Sequence, residues 1–392
     1  MNSKTKKQPI FNSEKELADF LLGNLADSLK QAVKATAKTM IKQEMEDLRE
    51  EIDKKLSFNG YYQRHMYSGL GKIENINIPR FRETPNNELN IQSLNIFDQE
   101  KEKFFKLASE MHRLGISQRK IKQLCRACFG IDISKGRVGL VHRELAKQES
   151  LQINSQPLTD EFEYLLVDGL RVKCKHYGLR DSNKMNLLCA LGITQEGKRK
   201  IIGFIAAEKE NYESWYNFLK DLKQRGLLGK KLRLIIADDN GGLTKVAGQL
   251  YPKVKLQVCM VHKMRNVMGK ASYKNKKAVI EDIKRIYNSN NIKEANNHYQ
   301  AFAKKWYIAE EAAVRSLRYD FDRTLTYMEF PKEIWKKIRT TNILEREFRE
   351  ARRRIKVFDN SFNNIQSLEN YSNAIFDYLN NHYPARSIHT KG

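Results

Sequence analysis

Two apolar runs that each lead into an aspartate constrain the fold of this chain more than any other feature of its sequence. Residues 164–167 read Tyr-Leu-Leu-Val and precede Asp168, and residues 234–237 read Leu-Ile-Ile-Ala and precede Asp238. Apolar runs of this length predict buried strands. Helical patterns alternate with them, so the sequence predicts an α/β fold whose sheet carries carboxylates at the ends of its strands.

A third acidic residue, Glu345, falls in the first turn of a predicted helix for which Asn342 is the expected N-cap. Carboxylates from two strand ends and one helix can meet at one edge of a sheet. Such a cluster suits Mg²⁺, which binds through few carboxylates and leaves positions for a substrate phosphate. Taken singly, each aspartate has a simpler interpretation, because an aspartate after a strand is often only part of a turn or a helix cap.

The charge of the chain indicates what it binds. The 392 residues carry a formal net charge of +24 at pH 7, and the sequence pI is about 9.6. So basic a protein is expected to bind a polyanion through its phosphates. The alternative is a basic ribosomal or membrane-surface protein, although the chain is long and carries no lipid signal. The sequence has no apolar run long enough to span a membrane and no signal-type segment after its basic start. Its five cysteines form no disulfide framework, which favours a cytoplasmic, nucleoid-associated protein.

The pattern along the chain divides it into four regions. Residues 1–56 form a helical region, which Gly23-Asn24 could break and which could serve in dimerisation or pack on the rest of the chain. Three further regions are expected: a small β unit with a loop over 57–100, a helix-turn-helix domain over 101–150, and, after a polar linker, an α/β domain over 159–392. Within the last, strands are predicted at 163–168, 186–194, 200–207, 232–237 and 254–258, and a helical insertion at about 260–341.

The helix-turn-helix region presents a basic helix. Ser117 is expected to cap its second helix, with Ile121, Leu124 and Cys128 facing inward, and Cys125 and Cys128 are interpreted as packing residues. Ser134 is expected to cap a third helix that carries the candidate DNA-binding residues Lys135, Arg137 and Arg143. The alternative is an ordinary three-helix bundle with a solvated basic face.

Several motifs in their order resemble one known family. They are residues 75–82, Gly115-Ile116-Ser117, Val167-Asp168-Gly169, the stretch from Glu210 through Trp215 to Leu227, Asp238 with Gly242-Leu243, residues 259–266 and residues 339–345. In these motifs, which span most of its length, the chain resembles bacterial insertion-sequence transposases of the mutator type. The resemblance implies a DDE transposase with a ribonuclease-H-like α/β catalytic core that contains an all-helical insertion and follows a mostly α-helical DNA-binding region.

The resemblance also assigns roles to residues. It places the catalytic, metal-binding acids at Asp168, Asp238 and Glu345, with Asp239 as a competitor for the second position. It implies Mg²⁺ as the cofactor, with Mn²⁺ able to substitute, and a homodimer acting on terminal inverted repeats and target DNA. A metal-activated water would free a 3′-hydroxyl at the element end, and that hydroxyl would attack another phosphodiester. The alternative function is a catalytically inactive, transposase-derived DNA-binding regulator.

Four further residues are expected to support the active site: Cys259, His262, Trp215 and Arg265. His262 could contact the scissile phosphate, steady a metal ligand, or be an ordinary core histidine. Cys259 and His262 could instead form half of a zinc site with Cys174 and His176, although the resemblance argues against it. Trp215 has the spacing of a core residue, with DNA stacking as a second possible role.

Two groups of residues near the C-terminus, one of arginines and one of tyrosines, are further candidates for a functional role. Residues Arg352, Arg353 and Arg354 follow Glu345 by two helical turns and are expected to bind DNA phosphate, the alternative being a solvated helix face. A tyrosine recombinase that uses Tyr371, Tyr378 or Tyr383 is a further alternative. The chain lacks the arginine and histidine pattern that such an enzyme spreads over an all-helical domain.

Overall fold

The computed structural model describes residues 14–52, 57–68, 71–82, 91–129, 131–134, 136, 153–174, 184–355, 362 and 364–382. The chain divides into two compact units, Met1–Leu145 and Ala146–Gly392. None of the helices formed by these described residues is long and apolar enough to cross a membrane.

The first unit consists of helices around a two-stranded hairpin. Its elements are α1 (Glu14–Ile52), β1 (Phe58–Ser68), β2 (Gly71–Phe81), α2 (Gln92–Arg113) and α3 (Gln118–Phe129). Helix α1 continues through Gly23 and Asn24, so the break considered there does not occur. Strands β1 and β2 pair antiparallel in the region where the sequence predicts a small β unit, and α2 begins at Gln92, inside the stretch predicted to be loop.

The second half of α1 packs on the hairpin rather than standing free. Ile41 and Met45 are fully buried in the same apolar cluster as Ile76 and Ile78 of β2. The carboxylate of Glu44, also on α1, accepts hydrogen bonds from the first two backbone N–H groups of α2. Those N–H groups have no partner inside their own helix, so Glu44 satisfies donors that would otherwise need water.

The helix-turn-helix region differs from the sequence prediction in its inward face. The Ser117 hydroxyl accepts from the N–H of Lys120, which confirms Ser117 as the cap of α3. The buried side chains of α3 are Ile121 and Cys125, whereas Leu124 and Cys128 are exposed, so the predicted inward positions of those two residues are wrong. A helix places residue i+4 above residue i, and Cys125 therefore shares the face of Ile121. The predicted third helix, with Lys135, Arg137 and Arg143, lies outside the described residues.

The second unit contains five strands and ten further α-helices among its described residues. The strands are β3 (Phe162–Lys173), β4 (Lys184–Thr194), β5 (Arg199–Ala207), β6 (Leu234–Ala237) and β7 (Lys255–Val258). The helices before the third acid are α4 (Tyr212–Gln224), α5 (Gly241–Leu250), α6 (Met260–Lys270), α7 (Lys276–Tyr287), α8 (Ile292–Trp306), α9 (Glu311–Arg318) and the short helices α10 (Phe321–Thr324) and α11 (Trp335–Ile338). They are followed by α12 (Asn342–Ile355) and α13 (Ile365–His382).

The five strands form one mixed sheet in the order β5-β4-β3-β6-β7. Strands β3, β4 and β5 are antiparallel, while β6 and β7 run parallel to β3. Helices α4 and α5 cover one face, and helices α12, α13 and those of the insertion cover the other. This is the mixed α/β architecture and the element order that the sequence predicts, including a helical segment between β7 and α12.

The segment before β3, predicted to be a polar linker, contacts the sheet. The side chain of Asn154 forms two hydrogen bonds with the backbone of Phe204 on β5. The Arg225 guanidinium donates to the carbonyls of Ile153, Gln156 and Ile202, and only 10% of its side chain is exposed. Residues 153–158 are therefore part of the second unit.

We expect Arg225→Lys to destabilise the second unit by about 1–3 kcal/mol, because an ammonium group cannot reach three carbonyls that a planar guanidinium reaches together. Chemical unfolding measured by tryptophan fluorescence would show a lower midpoint. Lys220→Arg, on the exposed part of the same helix, is the control and should leave the midpoint unchanged. An unchanged midpoint for Arg225→Lys would contradict the assignment of residues 153–158 to this unit.

Candidate active site

The register of the parallel strands places Asp168, which lies inside β3, beside the ends of β6 and β7. The predicted end of the first strand at residue 168 is wrong, because β3 continues to Lys173. Val167 pairs with Ala237, and Ala237 pairs with Val258. The residues that directly follow Val167, Ala237 and Val258 in the chain are Asp168, Asp238 and Cys259. Adjacent strands lie roughly 5 Å apart, so these side chains start from neighbouring positions on one edge of the sheet.

Glu345 reaches this edge from the first turn of α12. The helix starts at Asn342, and the carbonyl of Thr341 accepts the N–H of Glu345 at 2.9 Å. Thr341 therefore stands in the cap position that the sequence analysis gave to Asn342. The backbone N–H and the hydroxyl of Thr341 both donate to the buried Cys259 sulfur, at 3.4 and 3.6 Å. Cys259 thus links the end of β7 to the start of the helix that carries Glu345.

His262, in the first turn of α6, lies between two of the acids. Its Nδ1 atom is 3.2 Å from Oδ1 of Asp238, and its Nε2 atom is 3.5 Å from Oε1 of Glu345. A guanidinium nitrogen of Arg265 approaches the same glutamate oxygen at 3.6 Å, with 58% of the arginine side chain exposed. Ligand atoms of Asp168, His262 and Glu345 all lie within 4.8 Å of one another.

The charges of the cluster depend on one another. Burial raises the pKa of Asp168 to about 6, and nearby Asp238 acts in the same direction. Burial alone would lower the pKa of His262, but the Cys259 sulfur and the carboxylates of Asp238 and Asp168 outweigh it and raise that pKa to about 9. At neutral pH an imidazolium therefore lies among carboxylates that would otherwise repel one another.

This donor set fits a divalent cation that prefers oxygen ligands. The group contains two carboxylates and the His262 ring, and Asp238 contacts that ring. Because a protonated ring offers no nitrogen lone pair, the carboxylate oxygens are the available ligands at neutral pH. Among the described residues, the group with metal-binding spacing includes neither Cys259 nor Cys174. Cys174 instead lies in a β-bridge with Phe362, and His176 lies outside the described residues. Among the described residues, the arrangement therefore gives no support to the four-ligand zinc site.

Asp239, the competitor for the second acidic position, faces a different partner. One carboxylate oxygen is 2.8 Å from the ammonium of Lys263, and the other accepts from the side chain of Asn266 at 2.7 Å. Lys263 is 1% exposed and also donates to the carbonyls of Ser316 and Tyr319. Asp239 is thus held in a buried ion pair with the insertion, while Asp238 contacts His262.

Two residues that the sequence analysis proposed for DNA contact are buried. Trp215 is 1% exposed and packs beside Phe218 in the layer under the sheet, so its packing role is confirmed and a stacking role is excluded. Arg354 is also 1% exposed, donates to Glu350 and lies over the ring of Tyr378. The proposal that Arg354 binds DNA is therefore wrong. Arg352 and Arg353 are exposed on the same helix.

A fourth carboxylate, which the sequence analysis did not single out as functional, lies beside this edge. The side chain of Glu210 contacts Gly169, the residue after Asp168. Burial raises the pKa of Glu210, and the nearby Asp238 carboxylate adds to the effect. Glu210 begins one of the motifs that carry the family resemblance, although its polar run, Glu208-Lys209-Glu210, is that of a surface segment.

A family model and individual known proteins that resemble this chain indicate the same family. A family model described as "Transposase, Mutator family" matches residues 4–385. A transposase for insertion sequence element ISRM5 from Rhizobium meliloti (strain 1021) is 26% identical over 353 residues, covering 88% of this chain and 86% of that protein. A transposase for IS256 in transposon Tn4001 from Staphylococcus aureus is 28% identical over 305 residues, covering 76% and 75% of the two chains.

We expect Asp239→Asn to lower the stability of the second unit by about 3 kcal/mol, because it leaves the buried Lys263 ammonium without its counter-charge. Asp238→Asn should change stability by less than Asp239→Asn, since Asp238 is 31% exposed and its attraction to His262 is offset in part by its repulsion of neighbouring carboxylates. Thermal unfolding of the two variants without added metal gives the comparison. A larger loss for Asp238→Asn than for Asp239→Asn would contradict this division of roles.

Proposed function

The chain belongs to the mutator family of transposases, and we propose that it cuts DNA at the ends of an insertion sequence and transfers the freed 3′-hydroxyl to another phosphodiester. The observation that carries this proposal is the meeting of Asp168, Asp238 and Glu345, from three distant parts of the chain, around His262. A catalytically inactive regulator would have no need to keep three carboxylates together against their repulsion. Nothing in the chain or its relatives favours that alternative.

We further propose that the second unit is a ribonuclease-H-like domain with an inserted helical segment. The support is a sheet with three antiparallel strands followed by two strands parallel to the first, with helices on both faces. The helical segment from α6 to α11 separates the second acid from the third. In this proposal the catalytic domain covers 159–392, extended towards its N-terminus by residues 153–158.

The three acids would hold the divalent cations, Mg²⁺ or in its place Mn²⁺. Bound there, such ions supply a nucleophilic water at neutral pH and offset the charge that develops on the attacked phosphate. Asp168 is rigid because it lies within a buried strand and accepts its neighbour's N–H at 2.8 Å. Asp238 and Glu345 are partly exposed and face the side from which DNA would approach. Geometry held in this way is the main contribution that a protein makes to phosphodiester chemistry.

His262 and Arg265 provide positive charge beside the acids. His262 lies between Asp238 and Glu345, so it can hold both carboxylates in place before metal and DNA arrive. Arg265 is largely exposed and near Glu345, a position from which it can contact a phosphate of the bound strand. Cys259 acts indirectly, through its two contacts with Thr341.

DNA would contact several parts of the chain. Arg352 and Arg353 are exposed on α12 beyond Glu345 and can reach backbone phosphate. Recognition of the terminal inverted repeat is assigned to the region 101–150 through Lys135, Arg137 and Arg143, while α1 and the hairpin share one apolar cluster and do not form the separate modules 1–56 and 57–100. The exposed Leu25 and Leu29 on α1 support a homodimer on DNA.

The tyrosine recombinase alternative has no support. Tyr371 is 3% exposed, and its hydroxyl donates to the carbonyl of Arg354. The Tyr378 ring lies against the buried Arg354 guanidinium. Tyr383 lies outside the described residues. A buried phenol that is already hydrogen-bonded cannot attack a DNA phosphate.

We expect Asp168→Asn, Asp238→Asn and Glu345→Gln each to reduce cleavage and strand transfer by at least about 1,000-fold, because each loses a ligand charge at the metal site. DNA binding should persist, since the basic surfaces are unchanged. A Mg²⁺-dependent cleavage assay on an end-containing duplex, run beside a gel-shift assay, gives both quantities. Cleavage at the normal rate by Glu345→Gln would refute its assignment.

We expect Arg137→Ala in the full chain to weaken binding to the terminal repeat. If Arg137 reads a base edge, the loss should be about 1–3 kcal/mol and confined to the repeat sequence. If Arg137 contacts only phosphate, the loss should be equal on unrelated DNA, with a smaller salt dependence. Arg352→Ala is the comparison, because it should change affinity equally for all sequences. Unchanged footprints for both Arg137→Ala and Arg143→Ala would place end recognition elsewhere.

A further inference from the structure

We propose that Tyr319, in the turn between α9 and α10, stacks on a base of the bound DNA strand close to the cleaved phosphate. This inference rests on the proposed function, because it names a DNA contact of the same active site. Tyr319 lies outside the metal-binding group and outside the motifs that carry the family resemblance. The position of its ring, the exposure of that ring and the way its backbone is held support the proposal.

The ring of Tyr319 lies beside the chain that follows the second acid. A Cβ atom at Gly241 would be 3.5 Å from the Tyr319 hydroxyl. Gly241 is three residues after Asp238, and three residues span at most about 11 Å. The hydroxyl therefore lies within about 16 Å of the Asp238 backbone. At 3.4 Å for each step along a strand, this distance corresponds to about five nucleotides.

One face of the Tyr319 ring is directed inward and the other is open. The Lys263 ammonium lies over the ring, 5.4 Å from its centroid, and Lys263 itself is only 1% exposed. Tyr319 is nevertheless 62% exposed, so its exposed area belongs to the face and edge away from Lys263. An aromatic ring that presents an open face in this way is the platform on which the bases of a nucleic acid strand stack.

The backbone of Tyr319 is held in place on both sides. Its carbonyl accepts from the buried Lys263 at 2.7 Å, and its N–H donates to the carbonyl of Arg315 at 3.1 Å. Lys263 is paired in turn with Asp239, which directly follows the second acid. The next residue, Asp320, has a φ of 55°, which residues with a side chain rarely adopt. Such strain occurs mostly at functional sites, and a ring held in advance loses little freedom when DNA binds.

The charges near Tyr319 suit a DNA strand. Arg318, directly before it in the chain, is exposed. The carboxylate of Asp320, directly after it, is paired with Arg323 at 3.1 Å. On the catalytic side, the largely exposed Arg265 lies at the metal site. A strand held through its phosphates by these arginines would bring its bases within reach of the ring.

The direct test is photo-crosslinking of the full-length protein to an end-containing duplex, without Mg²⁺ so that the DNA is not cut. 5-Iodouracil is placed singly at each nucleotide near the cleaved phosphate, and mass spectrometry identifies the crosslinked residue. We expect one position to crosslink to Tyr319, because a stacked ring lies directly against the halogenated base. The crosslink should remain in Tyr319→Phe and disappear in Tyr319→Ala. No crosslink to residue 319 from any position would overturn the proposal.

Affinity for the same duplex provides the second test, measured by gel shift. Tyr319→Ala should weaken binding by about 5- to 100-fold, the usual effect of removing one stacking ring. Tyr319→Phe should bind nearly as well as the wild type, since the ring makes the contact and the hydroxyl does not. Tyr307→Ala is the matched control, because Tyr307 directly follows α8 and is 61% exposed. It should bind as the wild type does.

A change in the DNA separates stacking from a structural role of Tyr319. An abasic nucleotide at the crosslinked position should weaken binding of the wild type as much as Tyr319→Ala does. It should not weaken binding of Tyr319→Ala further, because both changes remove the same contact. Additive losses would contradict the proposal. A lower unfolding temperature for Tyr319→Ala, together with additive losses, would show that the ring serves only the fold.

The stacking contact and the proposed function can fail separately. If Asp168→Asn and Asp238→Asn cleave DNA at the normal rate, the proposed active site is wrong. If those variants lose cleavage while Tyr319→Ala binds DNA with unchanged affinity, the active site stands and only the role of Tyr319 is refuted.

Discussion

The parallel pairing of β6 with β3 and β7 is the constraint on which the active site depends. Asp168, Asp238 and Cys259 are adjacent because Val167, Ala237 and Val258 are paired in register. A slip of one residue would turn Asp168 towards the opposite face and would exchange the apolar side chains of the strand between two differently packed faces. The burial of both sheet faces therefore fixes the positions of the acids with the same contacts that stabilise the fold.

The adjacent residues Asp238 and Asp239 have different roles because their side chains contact different partners. Asp239 forms a buried ion pair with Lys263 of the insertion, whereas Asp238 remains partly exposed beside His262. Cys259 receives two hydrogen bonds from Thr341, so the end of β7 also determines where α12 begins. The helical insertion is thus held at this edge of the sheet by contacts near both of its ends. Because of these contacts, Glu345 keeps a fixed position although the insertion is long.

The sequence predicts the parts of this structure that come from apolar periodicity. The end of β6 before Asp238 follows from a buried apolar run, whereas β3 continues past Asp168 to Lys173, with Leu170 and Val172 also buried. The element order of the second unit follows from the spacing of these runs. Burial of Arg354 could also have been inferred, since it continues the inward face of α12 that contains Phe348 and Ala351 at helical spacing. The position of Glu210 could not, because it depends on a close approach to Gly169 that only the tertiary fold creates. The packing of residues 153–158 was missed for the same reason, since polar side chains there bond to distant strands.

The central claim is that Asp168, Asp238 and Glu345 together bind divalent metal at this edge of the sheet. Its most direct measurement is anomalous diffraction from a crystal of the protein grown with DNA ends and Mn²⁺. The account predicts manganese peaks within about 2.0–2.3 Å of carboxylate oxygens of Asp168 and Asp238, with Glu345 as a further ligand. Manganese bound to Asp239 instead, or absent from this edge while bound elsewhere on the chain, would contradict it.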